Sequence, residues 1–212
     1  MTLTRKELVQ LALLIAAALI SAQLLQDHGQ LGENVGQNPL VREIEHDTGA
    51  PSRLNPGADL NLIVFSDYRC PACRLAYPAL KRAVERDGRV RLIYREWPIF
   101  GPFSERAAEV AIGSSFQGIY PAVHDRLMTG PVGSEADLRR AVEESGGNWS
   151  RLQRDLVTRR AEIARQLSTN QRYAFGLGLG GTPGYLAGPV LVRGALSERE
   201  FARLIGEARR PG

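Results

Sequence analysis

The chain of 212 residues contains two cysteines, Cys70 and Cys73, in the run DYRCPACRL that begins at Asp67. Two thiols three positions apart can exchange disulfides, close a permanent staple, or supply half of a metal site. A zinc site needs about four ligands, and beside this pair the chain offers only His28, His46 and His124, scattered along its length. Cu(I) is softer and can be held by two thiolates alone. A staple across four residues would constrain little of the unfolded chain. A redox pair makes a different demand: one sulfur must be kept as the thiolate, the form that attacks.

The elements around the pair meet that demand. Leu60 to Ser66, LNLIVFS, is a short apolar run bounded by Gly57 and Asp67, the pattern of a buried central strand. From Pro71 the sequence predicts a helix that ends at Gly88, with Leu75, Leu80 and Val84 near one face and Pro78 inside it as a source of a kink. The junction puts Cys70 at the N-cap and Pro71 at the first helical position, where a missing N–H costs nothing. The Cys70 sulfur then faces unpaired backbone N–H groups and the positive end of the helix dipole, which favours a thiolate. Arg69 and Arg74 flank the motif and add little if solvent screens them. Cys73, one turn further in, is expected to be the more buried thiol. In this reading Cys70 attacks or is attacked, and Cys73 resolves.

Arg89 to Trp97 alternates Val90, Leu92 and Tyr94 against arginines and reads as a second strand, completing a βαβ unit. About seventy residues from Ser104 to Phe175 are helical in pattern, with starts at Ser104, Ser134 and Asn148 and a stop at Gly176. Two short strands follow, Tyr185 to Ala187 and Val190 to Arg193, then a helix opened by a capping box of Ser197 and Glu200. The fold class is therefore α/β with a helical insertion at about 104–175. Trp97, Pro98, Phe100 and Phe103 are expected to pack the base of that block, and Tyr185 and Leu186 to be strand core. His124 and Met128 read as helix residues without a role.

The N-terminus carries Arg5 and Lys6 ahead of an almost uncharged stretch from Leu8 to Leu25, followed by Asp27 and Glu33. That asymmetry points to export with the positive charge left inside. Eighteen residues of helix rise about 27 Å, slightly short of a hydrocarbon core of about 30 Å. Residues 1–25 thus read as a signal peptide or signal-anchor, with the anchor favoured because Ile20 stands where a cleavage site wants a small residue. Residues 26–58 read as a tether with one short helix near Leu40 to His46, and 59–212 as the domain. The net charge of +4 comes from arginines interspersed with acids, a solvated surface rather than a nucleic-acid footprint. In an oxidising compartment structural cysteines usually come as several pairs in small domains, so one close pair in a chain of this size indicates chemistry.

Three motifs, FSDYRCPACRLAYPAL, YREWPIFGPFSERAAEVA and NQRYAFGLGLGGTPGYLAG, resemble in order and spacing the DsbA-like thiol-disulfide oxidoreductases of the bacterial envelope, over about residues 60 to 205. The resemblance implies a thioredoxin-like fold with a helical insertion, preceded here by the apolar N-terminal helix. It implies Cys70, Cys73 and Pro183 as catalytic residues, with Thr182-Pro183 a cis-proline loop beside the cysteines; without the other motifs GGTPG is a glycine-rich turn. Thr182, with Pro71 and Ala72, would meet an extended substrate chain. Asp67 stands where many relatives have an acid and either relays a proton to Cys73 or caps the strand end. Val64 occupies the position where some relatives bury an acid. The resemblance further implies no cofactor and no metal, cysteine-containing exported proteins as substrates, and a membrane redox partner of the quinone-reductase type. The envelope is the expected location, with anchoring through residues 8–25. Disulfide donation is the favoured activity; the alternatives are an isomerase or reductase, or a Cu(I)-handling thiol protein. Because Pro71-Ala72 lacks an imidazole, the potential should fall between about −270 and −120 mV.

Overall fold

The computed structural model describes residues 31–210 apart from residue 54, together with positions 5, 6, 10, 11, 14 and 15. The chain divides into two compact units, Met1–Leu31 and Gly32–Gly212. The expected apolar helix over Leu8 to Leu25 lies largely outside the described residues, and among those described no helix is long and apolar enough to cross a membrane.

The centre of the larger unit is the predicted βαβ unit. Strand β3 (Leu60–Ser66) and strand β4 (Val90–Glu96) pair in parallel, Leu62 opposite Leu92 and Val64 opposite Tyr94. Helix α2 (Pro71–Asp87) joins them and ends at Gly88, whose φ of 75° is the left-handed C-cap conformation that glycine adopts most cheaply. Strand β5 (Gly184–Ala187) pairs antiparallel with β3, and strand β6 (Val190–Arg193) pairs antiparallel with β5. From Leu62 to Ser66, β3 is buried throughout, as its near-continuous apolar sequence requires of a strand covered on both faces.

Residue parity separates the two faces. Val64 pairs with Tyr185, and Tyr185 meets Phe201 of helix α8 (Glu198–Ala208) edge-on at 4.8 Å, so this face carries α2 and α8. Ile63 and Phe65 point the other way and share a core with Val41 and Ile44 of helix α1 (Pro39–His46) and with Tyr173 and Ala174 of helix α7 (Arg160–Gly176). Between β4 and α7 the insertion comprises α3 (Pro102–Ser114), α4 (Tyr120–Thr129), α5 (Glu135–Glu143) and α6 (Trp149–Thr158). Ser134 and Asn148 cap α5 and α6 as expected, while Gly101, not Ser104, precedes the first insertion helix; Pro102 fits its first position and moves the start three residues earlier.

The tether expected over 26–58 needs correction from residue 32 onward. Strand β1 (Glu33–Asn34) pairs antiparallel with β6, and strand β2 (Ser52–Arg53) with β4, so this segment supplies both edges of a six-stranded sheet ordered β1-β6-β5-β3-β4-β2. Helix α1 is capped by Asn38 and packs against α7, where a Cβ on Gly176 would collide with Leu40 Cδ1. Two-residue strands are too short for alternation to show in a sequence, which is why the composition alone reads as a linker.

Candidate active site

Cys70 is the N-cap of α2, with extended backbone (φ −72°, ψ 116°) and its sulfur accepting the Cys73 backbone N–H at 3.3 Å. Across the site, the Cys70 thiol donates to the carbonyl oxygen of Thr182 at 3.3 Å, and the Thr182-Pro183 peptide is cis. Three segments far apart in sequence therefore converge on one sulfur: the end of β3, the first turn of α2, and the loop before β5. Both cysteines are free thiols and both are buried. Cys70 is as enclosed as Cys73, where Cys73 was expected to be the more buried of the two, because the Thr182 carbonyl lies against the Cys70 sulfur. Burial pushes the Cys73 thiol far above its ordinary range. Tyr185, opposite Val64, has its phenol raised by burial first and then by the nearby Cys73 and Cys70. Pro71 is exposed and Ala72 half-buried, so the dipeptide between the thiols presents the open face of the site.

Asp67 is buried, and four donors surround its carboxylate. Oδ1 accepts the Arg69 N–H at 2.7 Å and the Ser104 hydroxyl at 2.6 Å; Oδ2 accepts the N–H groups of Ile99 at 2.7 Å and Phe100 at 3.1 Å. These carboxylate bonds tie the strand end to the loop after β4 and to the first turn of α3, and none of them involves a sulfur; it is the Asp67 backbone that bonds the Cys73 thiol.

Two side chains lie where sequence reasoning did not put them. Leu75, placed with Leu80 and Val84 on the packed face, is 78% exposed. The buried stripe of α2 is Cys73, Ala76, Tyr77, Leu80, Ala83 and Val84, and at about 100° per residue Leu75 stands roughly 200° from Cys73, on the far side. Phe100, expected to pack the insertion, is 45% exposed, whereas Trp97 is buried and meets Phe175 edge-on. Arg74 is not a solvent-facing flank either. Its guanidinium donates to the carbonyls of Tyr68 (3.3 Å), Leu127 (2.7 Å) and Gly130 (2.6 Å), fastening the active-site helix to the end of α4.

Sequence reasoning also passed over a buried polar cluster at the end of β4. Glu96 Oε1 accepts the hydroxyls of Tyr68, at 3.0 Å, and of Tyr120, and His124 Nδ1 lies 2.8 Å from the Tyr68 hydroxyl. Burial pushes the Glu96 carboxyl up to about 7 and holds His124 down at about 3, so its imidazole is neutral. His124, read as a helix residue without a role, is thus part of the contact between the insertion and the loop carrying Tyr68. The available signal was parity: Glu96 shares the inward face with Tyr94. Among the described residues no group of three His, Cys, Asp or Glu side chains could hold a metal.

A dithiol at a helix start, facing a cis-proline loop on a four-stranded core with a helical insertion, defines a thioredoxin-fold thiol–disulfide exchange protein. Residues 61–206 match the DSBA-like thioredoxin domain, and the chain belongs to that family of thiol-disulfide oxidoreductases. Among solved structures, a thioredoxin-like oxidoreductase from Silicibacter pomeroyi DSS-3 is 34% identical, with a TM-score of 0.73 over 78% of this chain and 95% of that one. The thiol-disulfide exchange protein alpha-DsbA2 from Wolbachia pipientis shares the fold at 22% identity, with a TM-score of 0.72 over 82% and 99% of the two chains. A curated relative, Na(+)/H(+) antiporter NhaA 3 of Salinispora tropica, is 29% identical over 106 residues, which are 49% of this chain and 16% of the antiporter. The chain therefore spans about one sixth of the length of the curated relatives it matches.

Proposed function

We propose that this chain oxidises pairs of cysteines in exported proteins, donating the Cys70–Cys73 disulfide. The observation that carries the reading is the position of the Cys70 sulfur, between the amide of Cys73 at 3.3 Å and the carbonyl of the Thr182-Pro183 loop. Amides at a helix start stabilise the reduced, thiolate-bearing form, and a stabilised reduced form makes the disulfide a stronger oxidant. In the oxidised protein a client thiolate attacks Cys70 Sγ, the Cys70–Cys73 bond breaks, and its electron pair leaves on Cys73. A second client thiolate then attacks the client sulfur of the mixed disulfide, and the pair leaves on Cys70. The client loses two electrons and two protons; the protein becomes the dithiol described here.

In this reading Pro183 and Thr182 hold the client chain beside Cys70, and Pro71 and Ala72 form the open side of the contact. Asp67 holds the loops in register, since its four donors leave the carboxylate engaged. The charged, then apolar, leader supports export and anchoring through residues 8–25. The family resemblance supports a quinone-reductase-type membrane partner that returns the dithiol to the disulfide. Equilibration with glutathione tests the direction: a potential above about −200 mV is expected, and one near −270 mV would make the protein a reductase instead. Offered a client that already carries a disulfide, Cys73→Ser should accumulate a mixed disulfide at Cys70, because the Cys70 thiolate displaces one client sulfur and no second thiol of the protein is there to release the other; the adduct is visible by non-reducing electrophoresis and absent from Cys70→Ser.

A further inference from the structure

An open groove of about 640 Å³ runs beside the redox pair, lined by Arg69, Pro71, Arg74, Leu75, Pro78 and Met128. We infer that this groove binds the client segment next to its reacting cysteine and favours an apolar side chain and a carboxylate there. The inference rests on the oxidoreductase reading above and adds to it a substrate class.

The apolar half of the argument is Leu75. It stands 78% exposed on the outer side of α2, flanked by the exposed rings of Pro71 and Pro78. A large aliphatic side chain so placed, one turn from a reactive sulfur and forming a continuous strip with two prolines, marks an interaction surface more than a packing residue. Leu75 lies five residues beyond Cys70, about 7.5 Å along the helix. An extended client advances about 3.3 Å per residue, so the side chain that reaches Leu75 is two or three positions from the client cysteine.

The charged half is Arg69. The groove lining holds two arginines and no acid. The Arg74 guanidinium is committed to three backbone carbonyls. Arg69 is exposed, reaches only the Phe100 carbonyl at 3.5 Å and the Phe103 ring at 6.0 Å, and forms no ion pair with a carboxylate among the described residues. Adjacent to Cys70 in sequence, its charge is positioned for a client carboxylate one or two residues from the cysteine. Beyond Arg69 the exposed Ile99 and Phe100, held by Asp67, extend the apolar border on the other side.

The experiment uses the full chain in its disulfide form and three dithiol peptides that differ at the position three residues from one cysteine and at the position flanking it: Leu and Glu, Leu and Lys, or Ser and Lys. Dithiothreitol oxidation is followed in parallel. The Leu/Glu peptide should be oxidised about tenfold faster than the Ser/Lys peptide. In Leu75→Ser the ratio of Leu/Glu-peptide rate to dithiothreitol rate should fall about fivefold. In Arg69→Glu the preference between Glu and Lys at the flanking position should reverse. Equal rates for the Leu/Glu and Ser/Lys peptides with the wild-type protein, or an unreversed preference between the Leu/Glu and Leu/Lys peptides in Arg69→Glu, would overturn the groove assignment while leaving the oxidoreductase reading intact. Failure of the wild-type disulfide form to oxidise either peptide or dithiothreitol would overturn both.

Discussion

Asp67 immediately follows β3 and Glu96 closes β4, its parallel neighbour; both carboxylates are buried beside the active-site loop, yet they are held in opposite ways. Asp67 receives two donors on each oxygen, three of them backbone amides whose positions its own loops fix. Glu96 receives two phenols on one oxygen, while Oε2 is buried without a partner. The comparison separates burial from the supply of hydrogen-bond donors. Desolvation opposes ionisation at any enclosed carboxyl, and donors aimed at the oxygens offset it. At Glu96 the offset is incomplete, and the carboxyl is pushed up to about 7.

The largest effect that can break this contrast is Asp67→Ala. It removes the acceptor of four hydrogen bonds at once and should cost on the order of 4 kcal/mol in urea unfolding, with the loop at Ile99 and Phe100 the first to lose amide protection. A loss under about 1 kcal/mol would mean that the loops hold themselves without the carboxylate.

Glu96 makes the next prediction, through pH. Its folded value lies above the ordinary 4.5, so the folded state keeps a proton that the unfolded chain has released. The stability this contributes is full below about pH 4.5 and is lost as pH rises through about 7. At about 1.4 kcal/mol for each pH unit separating the two values, the loss is on the order of 3 kcal/mol. His124 runs the other way: its contribution is full above about pH 6.5 and is lost as pH falls toward about 3. Glu96→Gln should therefore abolish the decline in urea midpoint between pH 5 and 8 and leave the acid limb in place. Superimposable curves for the two proteins would show that Glu96 titrates normally. The smallest effect is Ser104→Ala, which takes one donor of four from Asp67 and should cost about 1 kcal/mol; a loss as large as that of Asp67→Ala would mean the hydroxyl alone holds the carboxylate.

What sequence alone determined is the local part. Apolar runs, the Cys70-Pro71 junction, Gly88, the caps Ser134, Asn148 and Ser197, and the helix stop at Gly176 are each written within a few consecutive residues, because helix ends and buried strands obey short-range stereochemistry. Cys70 at a helix start was legible for the same reason. Tertiary structure alone decided the rest. The short strands at 33–34 and 52–53 exist only because β6 and β4 offer open edges. The donors on Asp67 come from residues 69 to 104, those on Glu96 from 68 and 120, and the carbonyl against Cys70 from residue 182. Leu75 is exposed because the buried stripe of α2 is set by what packs on it, and no single helix specifies its own neighbours. Hydrogen bonds and burial depend on distance in space, and the folded chain alone brings those residues within about 3 Å of one another.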